Sequence, residues 1–509
     1  MSSVLLVAGC KDRNAFKAFE FLDPEKDLHQ EIDDHEDKVY DGYVKYGNLG
    51  NYVARKVSEP KIQDLGDTYN VQYKYINRHI MHTTGDRKIL VIPVEFEDFT
   101  LDDLGVDKDT YISNLQRSFF GVSSQNKYLS VSEYYNRSSY GQLRLSGKVC
   151  EKFYTFPKTK EAIIKGELTE RVVHDDYDNV IKWVKANYPS LDLSEYRIDP
   201  EDENSDVCVY LIYTYPTERR ENTKVFWDYT FLDLPFSWSS YSCLNTISGL
   251  PDAHTLIHEV GHLLGLSDYY AELESDPDPS GRIDMMDCSV GDHSGFSKMM
   301  LDWARPYYVT DSCEINIRSL SEYGDLILIN DTWNGNIDKA KKTVFDEYYL
   351  IELYSPLGIN YFDASIGNNK AKLPLLPGIK IYHVDARIGY FKTEGDVKSF
   401  LHYCDEDVST EQAVDPLNGN IALAHNNSSK DSTVKRPEFK LYELQLNGVN
   451  AIVDQCATDS NLFHRGDSFE IDSTGWHDAK NSGNYKITVT SLNFKEATIK
   501  IEKQTTTQN

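Results

Sequence analysis

Residues 254–270 read HTLIHEVGHLLGLSDYY, and three of them could do chemistry together. His258 and His262 are four apart, so on a helix they lie on one face about one turn apart. Both imidazoles can then reach one ion at about 2.0–2.1 Å. Glu259 can act as general base toward a water that the ion acidifies. A catalytic zinc takes three protein ligands and keeps one position open. Gly265 follows shortly after His262, and a glycine there ends a helix in a left-handed turn. The chain then reverses, so Asp268 can swing back toward the ion, and an aspartate oxygen binds zinc at about 2.0–2.2 Å. The expected site has His258, His262 and Asp268 on the metal and Glu259 as the catalytic base. A glutamate from a later helix is the competing third ligand, and the early stop at Gly265 argues against it.

A second stretch agrees. GRIDMMDCSVGDHSGFSKMMLDW, residues 281–303, reads as a turn carrying methionine and then a helix. A methionine beneath a three-ligand site makes a soft apolar floor without binding the metal. Met286 is the expected floor and Met285 the alternate. Leu256, Ile257, Val260, Leu263 and Leu264 surround the motif, so its helix should be buried. The acidic loop ELESDPDPSGRID, 272–284, reads first as a solvated loop, with calcium held through Asp276 and Asp278 as the alternative. DPEDENSD, 199–206, lacks the turning glycine of a calcium loop and reads as a solvated loop. His383, in IYHVD, reads as a structural histidine on a strand, outside the site.

These residues need elements to position them. RKILVIPVEFEDF, 87–99, contains an apolar strand. YISNLQRSFFG reads as a short helix. SVSEYYNRSSYGQLRLSGKV gives a capped helical turn, a reversal at Gly141 and an alternating strand from Gln142. Val173, Tyr177, Val180, Ile181 and Val184 recur at helical spacing, which predicts one helix over 159–188. DVCVYLIYTY, 206–215, is apolar nearly throughout, so a buried strand is expected. After about residue 310, EYYLIELYS, GIKIYHVDARI, KLYELQL, GDSFEID and the hairpin-like YKITVTSLNFKEATIKIEK alternate with turn clusters. The fold class is therefore α+β, with a β-rich sandwich or jelly-roll over 311–509.

A chain of 509 residues is too long for one ordinary core, so two or three domains are expected. The net charge of −28 argues against a nucleic-acid partner, since phosphate contacts need clustered Lys and Arg. The 8 cysteines form no CxxC pair, which leaves room for one or two disulfides but no cysteine-only zinc site. No apolar run reaches the ~18–20 residues of a transmembrane helix. The N-terminus MSSVLLVAGCKD places VAGC as a lipobox ending at Cys10, so residues 1–10 read as a truncated lipoprotein signal with a lipid anchor on that thiol. The competing reading is an incidental cysteine after a short apolar run. Residues 11–85 read as an acidic leader or propeptide-like region, followed by a zinc metallopeptidase domain over 86–310.

HEVGHLLGLSDYY, then DMMD and GDHSGFSKMMLDW, resembles the immune inhibitor A-like family of bacterial zinc metalloproteases. The likeness extends upstream to SVSEYYNRSSYGQLRLSGKV and downstream to EYYLIELYS, LPGIKIYHVD and GDSF. It covers most of residues 86–475 and is most specific over 254–303. The resemblance implies a secreted or surface-exposed endopeptidase acting on protein or peptide substrates. It further implies a metzincin-like catalytic domain, a twisted sheet plus zinc helix, followed by β-domains. Carried to matching positions, it puts zinc on His258, His262 and Asp268, the base at Glu259 and the Met-turn at Met286. FWDYTFLDLPFSWSSYSCLNTISGL departs from the family pattern, so the wall of a substrate cleft is not carried over. A catalytically weak surface binding or adhesion protein on the same scaffold is the rival, favoured by 35 tyrosines and the β-rich C-terminal part.

Overall fold

The computed structural model describes residues 54–56 and 81–504, apart from 169–170, 218–223, 232–233, 247–248, 272–275, 302, 305, 310, 331–345, 369, 388, 395–396, 404–420, 423–425, 427–433, 436–439, 449–450, 454 and 479–482. The expected anchor at Cys10 and most of the acidic leader lie outside the described residues. Mixed helix and sheet run through the rest, with several sheets.

Strand β1 (Ala54–Lys56) belongs to a sheet formed later in the chain. β2 (Gly85–Phe96), β3 (Leu143–Val149), β4 (Tyr154–Phe156), β5 (Val209–Tyr213), β6 (Tyr229–Thr230) and β7 (Phe236–Ser240) make the first sheet. Its order is β3-β2-β5-β7-β6, with β4 beside β2. Every pairing is parallel except β6 against β7. Parallel strands are covered on both faces, which is why β2 and β5 are apolar nearly throughout. Successive side chains alternate between the faces. Ile89, Val91, Tyr210 and Ile212 join one core cluster, and Leu90, Ile92, Val94, Val209 and Leu211 join another.

Helices α1 (Lys108–Phe120) and α2 (Val131–Ser138) cover the first face, and α3 (Tyr177–Asn187) covers the second. α1 starts before the expected helix because the Asp107 carboxylate accepts from the Thr110 backbone N–H at 2.9 Å. A single helix over 159–188 does not form. Lys160–Ile164, Arg171–His174 and α3 are separate pieces. Gly166 has φ +72°, which no helix interior accommodates. Val173, Val180 and Val184 still pack in the core, so the apolar spacing located the buried face and missed the breaks.

α4 (His254–Leu263) packs on the first face against α2 and β7. After it come α5 (Met285–Cys288) and α6 (Gly295–Met300). The tyrosines of α2 bind the segments around the site: Tyr135 donates to the Ile257 carbonyl at 2.6 Å and Tyr134 to the Gly291 carbonyl at 3.0 Å. Lys298, fully buried, pairs with Asp292 at 2.7 Å and donates to the Ser138 carbonyl at 2.6 Å.

The later chain is built mostly of strands, as its texture predicts. β8 (Tyr307–Val309), β9 (Cys313–Arg318), β10 (Leu326–Ile329) and β11 (Glu347–Tyr354) precede α7 (Asn360–Ser365). Then come β12 (Gly378–Asp385), β13 (Gly389–Glu394), β14 (Val397–Tyr403), β15 (Ile421–Ala422), β16 (Val434–Lys435), β17 (Tyr442–Gln445), β18 (Ser468–Ile471), β19 (Asn484–Leu492) and β20 (Glu496–Gln504). A six-stranded sheet runs β1-β8-β10-β11-β12-β17, a four-stranded sheet runs β18-β19-β20-β9, and a further four-stranded sheet runs β15-β13-β14-β16. The six-stranded sheet is apolar on both faces. Leu328, Tyr348, Leu350 and Val384 share a core with α4, while Ile327, Ile351 and Ile381 pack with Ile315, Ile487 and Ile499 of the β18-β19-β20-β9 sheet. Each aliphatic side chain so buried contributes about 1.5–3 kcal/mol. The core around the motif helix therefore continues past residue 310 without a break.

Cys150, Cys208, Cys243, Cys288, Cys313 and Cys456 are all free thiols. No disulfide forms among the described residues, and Cys10 and Cys404 lie outside them. No helix among the described residues is long and apolar enough to cross a membrane.

The first residue of α4 ties it to the later chain. His254 Nε2 lies 3.1 Å from Asp363 of α7, its Nδ1 hydrogen-bonds Asp252, and its ring stacks on Tyr128 at 4.0 Å. Burial pulls the His254 pKa down, but Asp363 and Asp252 outweigh it and hold the group up at about 9. Burial raises Asp252, yet His254 and Lys127 bring it down to about 2. A raised histidine stabilises fully below its unfolded value of about 6.5 and loses that contribution as pH rises through the folded one. A depressed carboxyl stabilises above its unfolded value and loses the contribution as pH falls through the folded one. The cluster should therefore support the fold best from about pH 4 to 6.5. In urea unfolding, the stability gap between wild type and His254→Gln should narrow from pH 6 to pH 9.5; a constant gap would refute the charged reading of His254.

Candidate metal centre

α4 presents His258 and His262 on one face, with their rings 4.9 Å apart and nearly perpendicular. The helix ends where the sequence says it should. Gly265 has φ +97°, the Leu266 N–H donates back to the Gly261 carbonyl at 3.0 Å, and the Gly265 N–H donates to the His262 carbonyl at 2.9 Å. This is a Schellman ending, which needs a residue free to adopt the left-handed conformation. The turn returns the chain so that Asp268 Oδ1 stands 3.0 Å from His258 Nε2 and 3.4 Å from His262 Nε2. Side-chain donors of His258, His262 and Asp268 all lie within 4.8 Å of one another. Tetrahedral ligands at about 2.0–2.1 Å from zinc stand about 3.3 Å apart, so the observed spacing needs little adjustment.

The tautomers follow from the partners. His258 Nδ1 faces the Met285 carbonyl at 2.8 Å, and His262 Nδ1 faces the Leu266 carbonyl at 2.8 Å. A carbonyl only accepts, so each Nδ1 carries a proton and each Nε2 is left to face Asp268. Burial lowers the pKa of both imidazoles, and Asp268 reverses the sign, bringing His262 up to about 9. Burial raises the Asp268 carboxyl, but the two histidines hold it well below the usual carboxylate range. The pocket is thus built for positive charge, and a metal ion entering it displaces protons.

No protein-family model matches this chain, and no curated protein matches it. The reading of the centre therefore rests on its own geometry.

Glu259 is almost fully buried and does not join the three-donor group. The Thr230 hydroxyl of β6 donates to Glu259 Oε2 at 2.8 Å, and Ser237 Oγ stands 2.9 Å behind it. Burial raises the Glu259 pKa, opposed by the two histidines. Asp228, beside β6, is pushed up to about 7 by burial and by Glu259. The Tyr270 hydroxyl hydrogen-bonds Asp268.

Met286 lies under α4 in such close contact that a Cβ at Gly261 would overlap its sulfur. Its carbonyl accepts from the Tyr269 N–H at 2.8 Å. Met285 contributes through its backbone, by holding His258. Both methionines are completely buried. Sequence reasoning did not find Thr230, the Leu266 and Met285 carbonyls, or Tyr270. Thr230 falls in the segment that departs from the family pattern, and a carbonyl carries no side-chain signal.

The acidic loop is described only in part, since 272–275 lie outside the described residues. Asp276 and Asp278 are half-buried, and Asp278 meets Asp287 of α5 in a side-chain hydrogen bond. Asp287 Oδ1 has no hydrogen-bond partner although the residue is buried. The 199–206 loop instead caps itself, with Asp199 and Asp202 accepting from the Glu201 and Asn204 backbone N–H groups at 2.9 Å.

Outside the centre, a second set of potential metal donors exists: Glu347, His383 and His477. His383, read from the sequence as a structural histidine, lies outside the first centre and belongs to this second set.

Proposed function

We propose that this chain is a zinc-dependent endopeptidase, similar to the immune inhibitor A-like metalloproteases, that hydrolyses peptide bonds in proteins outside the bacterial cell. The observation that carries the reading is the convergence of His258 Nε2, His262 Nε2 and Asp268 Oδ1, with the Glu259 carboxylate buried next to them and pinned by Thr230. Zinc, when bound, supplies a Lewis acid for the scissile carbonyl and acidifies water. Glu259 takes the proton from the attacking water and passes it to the leaving amine. Thr230 keeps that carboxylate from rotating onto the metal. Among the described residues β6 is an edge strand of its sheet and stands beside Glu259, so a substrate in extended form adds along it as a further antiparallel strand.

The test uses the chelator-stripped and zinc-reloaded protein on a casein-like substrate and on cell-wall peptide fragments. Activity lost on stripping and restored by zinc, on casein, supports the reading. Cleavage of cell-wall fragments alone moves the substrate class. No cleavage of either favours the binding or adhesion alternative.

The calcium reading of the acidic loop belongs with this function. Asp287 is on α5, next to the methionines that support α4, and burial and Asp278 hold its carboxyl well above the usual range. A calcium ion shared by Asp278 and Asp287 would relieve that repulsion and brace the turn under the catalytic centre. Calcium should then raise the thermal midpoint of wild type and lose that effect in the Asp276→Asn, Asp278→Asn variant. An equal rise in both proteins retires the idea.

A further inference from the structure

Glu347 opens β11 and is paired in register with Asp385 at the end of β12; His383, two residues before Asp385, is paired with Tyr349. The His383 ring lies flat on Tyr349 with centroids 4.5 Å apart, which fixes its orientation. His383 Nε2 is 2.7 Å from Glu347 Oε1. His477, in the turn that follows β18, brings Nδ1 to 3.9 Å from Glu347 Oε1 and 2.9 Å from Asp385 Oδ2. The His383 and His477 rings are 4.4 Å apart. Three segments far apart in sequence thus converge two imidazoles and two carboxylates.

Arg387 forks onto Asp385 at 2.8 and 2.7 Å and reaches Asp478 at 3.7 Å. Glu347 and Asp385 are buried, where a carboxylate needs close polar or charged partners. The N–H groups of His477 and Asp478 donate to Glu347 at 2.6 and 2.7 Å, which orients the carboxylate.

We propose that Glu347, His383 and His477, with Asp385 as fourth donor, form a second divalent-metal site of the zinc class, structural in role. Two imidazoles with carboxylates are a zinc donor set, and four protein donors leave no open position for a substrate. The donor separations of 2.7, 2.9 and 3.9 Å bracket the about 3.3 Å of tetrahedral ligands, so small shifts of the carboxylates and of the His477 ring seat the ion. The metal takes the place of the proton between His383 Nε2 and Glu347 Oε1, and that proton leaves to solvent. The ion fastens the 476–478 turn to the ends of β11 and β12. None of these residues takes part in the peptidase reading.

The experiment counts metal in the full chain after stripping, reloading with Zn2+ and dialysis. Wild type should hold two ions per chain, and His383→Ala and His477→Ala one each. His262→Ala should also hold one, and its combination with His383→Ala none. His477 is the least buried donor, so His477→Ala serves if His383→Ala fails to fold. Co2+ loaded into His262→Ala should give the visible absorption of a tetrahedral site, absent once His477 is also replaced. Equal metal content in wild type, His383→Ala and His477→Ala overturns the proposal and leaves a hydrogen-bonded polar network. Failure of the catalytic centre instead appears as His262→Ala retaining the wild-type count.

Discussion

Replacing Glu259 with alanine is expected to abolish proteolysis while leaving metal content at the wild-type level. A positioned general base contributes about 10²–10⁴-fold, and that factor should be lost in kcat on a casein-like substrate. The separation of the two readouts follows from position. Glu259 lies on the same helix as both histidines, yet Thr230 of β6 holds its carboxylate outside the three-donor group. Its removal takes away no ligand. The ligands keep their own supports, the Met285 and Leu266 carbonyls, which the substitution does not touch. Wild-type turnover by Glu259→Ala would sink the peptidase mechanism. Loss of metal in the same variant would move Glu259 from base to ligand.

Asp268→Ala should act on the other readout. Two imidazoles alone leave a zinc ion without its third protein ligand, and their attraction for it loses the carboxylate charge. Removing a hydrogen-bond partner from behind a ligand already costs roughly 10–100-fold in metal affinity, so losing a ligand should cost more. Activity should fall with occupancy and recover in part at high zinc concentration. Glu272→Ala and Glu274→Ala, in the neighbouring loop beyond the described residues, should leave metal content unchanged. If metal analysis gave the reverse, with Asp268→Ala loaded and a loop variant empty, the coordination set would be different.

The centre was legible where its parts are close in sequence. His258, His262, Gly265 and Asp268 span one helix and the turn that ends it, so spacing alone carried the geometry. Met286 was legible because the floor follows the helix closely. The rest needed tertiary structure. Thr230 reaches Glu259 from an edge strand 29 residues earlier, in a stretch with no distinguishing pattern. The Glu347 group joins positions 36 and 130 residues apart, and in such a case a single histidine on a strand looks the same as a structural one. The strands were readable because a pleated sheet imposes a short period and buried strands are continuously apolar. The 159–188 region misled because core spacing persisted across Gly166 and beyond, and periodicity reports the buried face rather than the breaks in the backbone.

The six-stranded sheet with two buried faces has a consequence for how the molecule comes apart. One side of it shares a core with α4 that includes Leu350 and Val384, and Asp363 grips the first residue of that helix. The other side is welded to the terminal hairpin through Ile351 and Ile487. A disturbance at the hairpin therefore has a packed route to the histidines. Such a molecule should lose its architecture in one cooperative event, so that a metal ion bound at His258, His262 and Asp268 would double as a reporter of strands that never touch it.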